Sequence, residues 1–171
     1  MSRLVTIAFV SALGSVTAAA ETPQAEDKES AVASELARGA ALYAEHCASC
    51  HGANLEGSED WQGYNEDGTL KPPPHDASGH TWHHSDALLF DYVRLGGAEA
   101  MAKVALEEFN SGMPAFGDVL SDAQIWSILS FIKSTWPEKF REAQEEISNE
   151  DREARVRKWN ERAKARNAEA E

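Results

Sequence analysis

Cysteine is scarce in this chain: Cys47 and Cys50 are the only two among 171 residues. A structural zinc site wants four ligands at finger-like spacing, and no second cysteine pair exists to complete one. Alternating runs of β-branched residues are missing as well, while helix formers are plentiful, so the pattern favours an all-α fold. Basic residues are few: the stretch 21–137 holds 19 acidic against 6 basic residues, and the whole chain has a formal net charge of -13. That balance argues against non-specific nucleic-acid binding. The apolar run Leu4–Val16 is about 13 residues long, short of the ~20 a bilayer span requires. The length suits one domain with a real core and is tight for two.

The first 20 residues have the layout of a secretory signal. Arg3 supplies a positive start, Leu4–Val16 the apolar segment, and Ala18–Ala20 the small residues before a cleavage site ahead of Glu21. Export would place the mature protein in the periplasm, where thiols tend to be oxidised. Residues 21–32, opening with "ETPQAEDKES", are acidic, carry Pro23 and offer little to bury, which predicts a flexible linker.

Helical periodicity then takes over. Leu36, Ala40, Tyr43 and Cys47 fall on one face of a helix predicted over Ala33–His46, with Gly39 beside that face. A glycine inside a helix costs about 1 kcal/mol against alanine, and here close approach of another helix is the expected reason for it. Residues 52–84 are rich in glycine and contain Pro72–Pro74, so they read as a long irregular loop that wraps something. A short helix capped by Ser85 and ended by Gly96 and Gly97 should turn Leu88, Leu89, Tyr92 and Val93 inward. The clearest element is "LSDAQIWSILSFIKSTWP". Ser121 and Gln124 form a capping-box pattern, Ile125, Ile128, Leu129, Ile132 and Trp136 share one face, and Pro137 ends the helix.

The cysteines sit in "EHCASCHGANLEG". A thioredoxin-like redox pair would follow a strand, whereas here a helix precedes it, and a plain disulfide leaves His51 unexplained. C-x-x-C-H is the attachment signature of c-type haem. Two cysteines three apart on a helical turn can each reach a vinyl group of one porphyrin edge, and His51 then lies under the iron. Cys47 and Cys50 are therefore expected as covalent anchors and His51 as an axial ligand; His46 precedes the first cysteine and is expected to be a bystander at the helix end. Haem iron takes a sixth ligand, and methionine opposite histidine is one such pairing. Met1 leaves with the signal, Met101 sits in a stretch that reads as helical or solvated, and Met113 is bracketed by Gly112 and Pro114 in a constrained loop just before the last core helix. Met113 is the expected sixth ligand, against the alternative that a lone methionine is core filler.

With "ARGAALYAEHC", "CASCHG" and "SGMPAFGDVLSDAQIWSILSFIKSTWP" on the page, residues 33–137 resemble a class I c-type cytochrome, and "GHTWHHSDALLFDYVRLGG" is similar to bacterial periplasmic monohaem members. The resemblance implies an all-α cytochrome c fold around one covalently attached haem c. It also implies a crossing of the first and last helices near Gly39, Tyr43, Ile128 and Phe131, and a proline carbonyl among Pro72, Pro73 and Pro74 on the histidine ligand's other ring nitrogen. It further implies one-electron transfer rather than enzyme chemistry. Two alternatives stay open: a cytochrome subunit of a dehydrogenase or oxidase complex, and a haem sensor or peroxidase-like protein in which Met113 dissociates.

Two features lie outside that pattern. His75, His80, His83 and His84 could form a second metal site, and imidazole ligands would suit copper. The other reading is a loop along the haem edge, with Trp82 on the ring and a histidine near a propionate. The tail 138–171 holds 10 acidic and 9 basic residues, is nearly neutral, and reads as a charged helical or disordered extension, with Phe140, Ala143 and Ile147 on one helical face. A docking arm for a redox partner is its functional reading. The acidity of 21–137 predicts partners with basic docking patches and no nucleic acid, with membranes met only through those partners.

Overall fold

The computed structural model describes residues 23–104 and 109–168. The signal segment 1–20 and the first residues of the linker lie outside the described residues. Six α-helices follow in order: α1 (Pro23–His46), α2 (Ala48–His51), α3 (Asp86–Leu95), α4 (Gly97–Ala102), α5 (Asp122–Ser134) and α6 (Glu138–Ala168), with a 3-10 turn at Thr81–His83 between α2 and α3. The fold is all-α, and the described residues contribute only two isolated bridges, Tyr64 with Leu70 and Leu70 with Ser111.

Helix α1 starts at Pro23, well ahead of the expected Ala33. The residues taken for a flexible linker are helical from that point, although Asp27–Ser34 stay exposed. Lack of burial argued for a linker there, but Glu, Ala, Lys and Gln are good helix formers and extend a helix already anchored at its other end. Proline is tolerated at the first turn, where its missing N–H would be unpaired anyway.

The core forms where α1 crosses α5. Tyr43, Leu55, Val93, Leu120, Ile125, Ile128, Leu129, Ile132 and Trp136 make one buried cluster. Burying each large side chain there is worth about 1.5–3 kcal/mol. Gly39 is the point of closest approach: a Cβ at that position would stand 2.1 Å from the Ser127 carbonyl oxygen and 2.9 Å from Phe131 Cβ. One turn on, the Tyr43 and Phe131 rings meet at 5.7 Å between centroids. The capping box at the start of α5 forms as expected, with Ser121 accepting from the Gln124 N–H and Gln124 reaching back to Ser121. Ser85 caps α3 through the Leu88 N–H, although only Val93 of that helix is fully buried.

The tail is helical, one of its two expected forms, and it docks on the domain instead of standing free in solvent. Residues 138–168 are a single helix, and its first four turns dock on the domain. Phe140 stacks on Trp82 at 4.2 Å. Gln144 is completely buried, and its Nε2 donates to the His84 carbonyl, to Asp86 Oδ1 and to Ser148 Oγ. Ser148 in turn accepts from the Asp86 N–H, and Ser85 Oγ donates to Asp151. The helix therefore covers the start of α3, and Pro137 marks a bend between two packed helices. Beyond Asp151 every described side chain of α6 is exposed except the half-buried Ala163.

Candidate functional site

The "CASCH" segment is a helical turn running on from α1. The Cys47 N–H bonds the Tyr43 carbonyl at 2.9 Å, and the Cys50 and His51 N–H groups both bond the Cys47 carbonyl, at 3.1 and 2.9 Å. This winding puts both cysteines and His51 within one turn. The two thiols are free rather than bridged to each other, with Cys47 half-buried and Cys50 exposed. Burial, with Cys50 adding to it, pushes the Cys47 thiol up to about 11. A thiol kept protonated at neutral pH is a poor redox nucleophile, which argues against Cys47 as the attacking thiol of a switch.

His51 is buried, and its Nδ1 lies 2.9 Å from the Pro73 carbonyl oxygen. A carbonyl only accepts, so Nδ1 carries the proton and Nε2 keeps its lone pair. Burial lowers the His51 pKa and the bond to Pro73 opposes it in part; the net result favours a neutral imidazole, the form that binds a metal. Pro73 is thus the acceptor among the three prolines. It is held there because the chain turns tightly at Gly57, where a Cβ would come within 2.4 Å of the Pro74 nitrogen and 2.6 Å of the Pro73 carbonyl carbon. The Ser58 N–H bonds the Pro72 carbonyl, and the His75 N–H bonds the Leu55 carbonyl. From the other side the Trp136 Nε1–H donates to the His75 carbonyl at 2.7 Å. The Tyr43 hydroxyl donates to the Gly52 carbonyl at 2.9 Å, which pins the end of the cysteine turn to α1.

Met113 lies in a loop tied down at several points. Its carbonyl accepts from the Gly97 N–H, its N–H bonds Ser111 Oγ, and the next turn is held by the Phe116 N–H on the Val93 carbonyl. Phe116 meets the His46 ring edge-on at 6.3 Å, so the loop returns to the helix end that carries Cys47. His46 stands at the end of α1 and packs beside this loop. Met113, Phe116, Leu89, Phe90 and Cys47 all pack, half-buried, against the core. Met101 is also half-buried, but it sits in α4 outside this cluster. Free thiols, an imidazole with one nitrogen uncommitted, a thioether and a half-buried apolar surface are the donor set and lining that a flat apolar metal macrocycle needs. The residues present fit haem c.

The histidine cluster does not converge on one point, although His80 and His84 meet edge to face at 5.2 Å. No group of three or more His, Cys, Asp or Glu side chains capable of holding a metal occurs among the described residues, so the second metal site is not formed. His75 stacks on His51 at 4.1 Å and its Nδ1 lies 2.9 Å from Thr81 Oγ1. His80 stacks on Trp61 at 5.1 Å. Trp82 stacks on His83 and on Phe140, so its ring anchors α6. Sequence reasoning missed the structural part played by His75 and Trp136. Trp136 was legible only as a core residue, and nothing in a side-chain pattern reports which carbonyl it will hold.

Two open depressions of the described surface, at Asp60–Gly63 and around Arg94 and Gly117, are lined by neither cysteine, nor His51, nor Met113. No curated protein and no solved structure matches the chain. One family model does match, described as cytochrome C oxidase, cbb3-type, subunit III, over residues 34–132. That span runs through the cysteine turn, His51, the Met113 loop and nearly all of α5. The chain belongs to this family, and residues 34–132 are a c-type cytochrome domain.

Proposed function

We propose that this chain is a periplasmic one-electron carrier holding a single haem c through thioether bonds at Cys47 and Cys50, with His51 and Met113 as axial ligands. When bound, the haem supplies a reversible ferric–ferrous couple whose potential the methionine raises. The chain's residues do the rest. The Pro73 carbonyl fixes the tautomer and orientation of the His51 ring and raises its basicity. The Gly97 and Val93 contacts hold the Met113 loop so that its thioether needs little reorganisation. Leu89, Phe90 and Phe116 exclude water from the site. The acidic body draws in partners with basic patches and speeds their encounter at low salt.

The observation that supports this reading most is the buried His51 ring, committed at Nδ1 to Pro73 at 2.9 Å and one turn from two free thiols. A redox titration of the purified protein tests it. We expect a single reversible one-electron transition. Met113→Ala should lower the potential and admit carbon monoxide, while Met101→Ala should change neither. A silent Met113→Ala with an altered Met101→Ala would reverse the assignment.

The description of the matched family favours a second reading, in which the domain is a subunit of an oxidase complex. Size-exclusion chromatography of gently solubilised membranes distinguishes the two, since a subunit co-elutes with a larger complex and a carrier does not.

A further inference from the structure

The near-neutrality of the tail conceals a sharp polarity. Residues 138–151 hold 6 acidic and 2 basic side chains, whereas 152–166 hold 7 basic and 2 acidic ones. Glu169 and Glu171 follow in sequence, and the distal part stays net basic even with them. The division falls where docking ends, because α6 packs on the domain as far as Asp151 and is exposed beyond it. Complementing the helix macrodipole does not require this pattern. The dipole acts on the first and last turn, and it selects no face.

A face is selected. Among residues 152–166, the half of the helix centred on Trp159, at 3.6 residues per turn, carries Arg152, Arg155, Val156, Arg162, Ala163 and Arg166, and no carboxylate. Both carboxylates of the segment, Glu153 and Glu161, fall on the other half. Trp159 is 65% exposed and Val156 53% exposed. Arg155 uses its Nε on Asp151 and Arg152 uses NH1 on Asn149, whereas Arg162 and Arg166 make no ion pair among the described residues.

We infer that the distal half of α6 is an arm that binds an anionic phospholipid surface, with Trp159 and Val156 in the interfacial layer and the four arginines on lipid phosphates. A helix face that sets Trp159, Val156 and Ala163 beside and among arginines suits the headgroup layer, where an indole and lipid phosphates lie at the same depth. The charge of this face complements an anionic surface, and a flat headgroup layer can take its whole length. The exposed part runs about 20 Å past the docked turns, so Arg162 and Arg166 stand beyond the ~8 Å Debye length at physiological salt and the acidic body does not cancel their field. No described helix is long and apolar enough to cross a membrane, so the contact is a surface one. This goes beyond the expectation that membranes are met only through partners, and it does not depend on the haem ligands.

Flotation of the purified chain with vesicles tests the inference, comparing phosphatidylcholine alone with phosphatidylcholine mixed with phosphatidylglycerol. The wild-type protein should float with the anionic vesicles, not with the neutral ones, and should be released by salt. Each phosphate-facing arginine contributes about a five-fold partition, so Arg155→Gln with Arg162→Gln should weaken binding roughly 25-fold. Trp159→Ser should weaken it too. The pair Arg157→Gln and Lys164→Gln, on the opposite half, should weaken it distinctly less. All these positions lie past the docked turns, and circular dichroism confirms that the fold is kept. Equal binding to neutral vesicles, or equal losses from the two pairs, would overturn the assignment. So would a salt-sensitive dimer without vesicle binding, which would give the arm to the acidic body of a second copy.

Discussion

Replacing Gly39 by alanine should loosen the α1–α5 crossing on which the site is built. On an exposed helix face the change would stabilise by about 1 kcal/mol, because alanine is the better helix former. At Gly39 the new Cβ would stand 2.1 Å from the Ser127 carbonyl oxygen, 2.7 Å from its carbon and 2.9 Å from Phe131 Cβ. Two of those atoms are backbone and cannot rotate away, so the helices must part. Overpacking of this kind costs typically 1–3 kcal/mol. Separation also weakens the Tyr43–Phe131 contact, worth about 0.5–1.5 kcal/mol. The net expectation is a loss of about 2 kcal/mol. Urea unfolding of the haem-loaded protein measures it, and a slope of about 1–3 kcal/mol per molar makes this a fall in midpoint of roughly 1 M. Ala41→Gly, at an exposed position on the same helix, is the control and should cost only about 1 kcal/mol. A midpoint that stays put or rises in Gly39→Ala would refute the close-approach argument.

Three further outcomes are expected. Ending the chain after Pro137 removes Phe140 from Trp82 and the whole Gln144 hydrogen-bond set, so thermal unfolding should shift down by several degrees, while ending it after Asp151 should leave the midpoint nearly unchanged; equal effects would mean that the first turns of α6 do not dock. Trp136→Phe keeps the ring but leaves the His75 carbonyl without its donor, a loss of about 1–3 kcal/mol in urea unfolding, and an unchanged midpoint would show that this bond contributes nothing. His80 and His84 have lowered pKa values, through burial first and neighbouring histidines second, so the unfolded chain takes up more protons there as pH falls through about 6.5. Stability should therefore drop between pH 7 and pH 5.5, and His84→Gln should flatten that slope; a steeper slope in the variant would reverse the sign of the argument.

What the sequence made legible was local. The C-x-x-C-H spacing, the Ser121–Gln124 capping box and the periodicity of α5 are each written in side chains a turn or two apart. Gly39 could be read because a helix-interior glycine needs a reason. The start of α1 was missed because burial was used to judge a segment that is helical without being buried. The choice of Pro73 was illegible, since the functional atom is a backbone carbonyl and three adjacent prolines offer the same one. Gln144 was missed because a buried glutamine looks like a surface residue until its three acceptors are assembled from α3, His84 and its own helix. The polarity of α6 was averaged away by counting charges over 34 residues at once. Metal binding by the histidine run failed for a related reason: His80 and His84 meet edge to face at 5.2 Å, but His75 stacks on His51 and His83 on Trp82, so no three of the rings converge.

The most direct test of the central claim is acid–acetone extraction of the purified protein, followed by a reduced-minus-oxidised spectrum of both layers. Thioether bonds at Cys47 and Cys50 predict that the haem signal stays with the protein. Colour that moves to the organic layer, or no haem signal in either layer, would contradict the account.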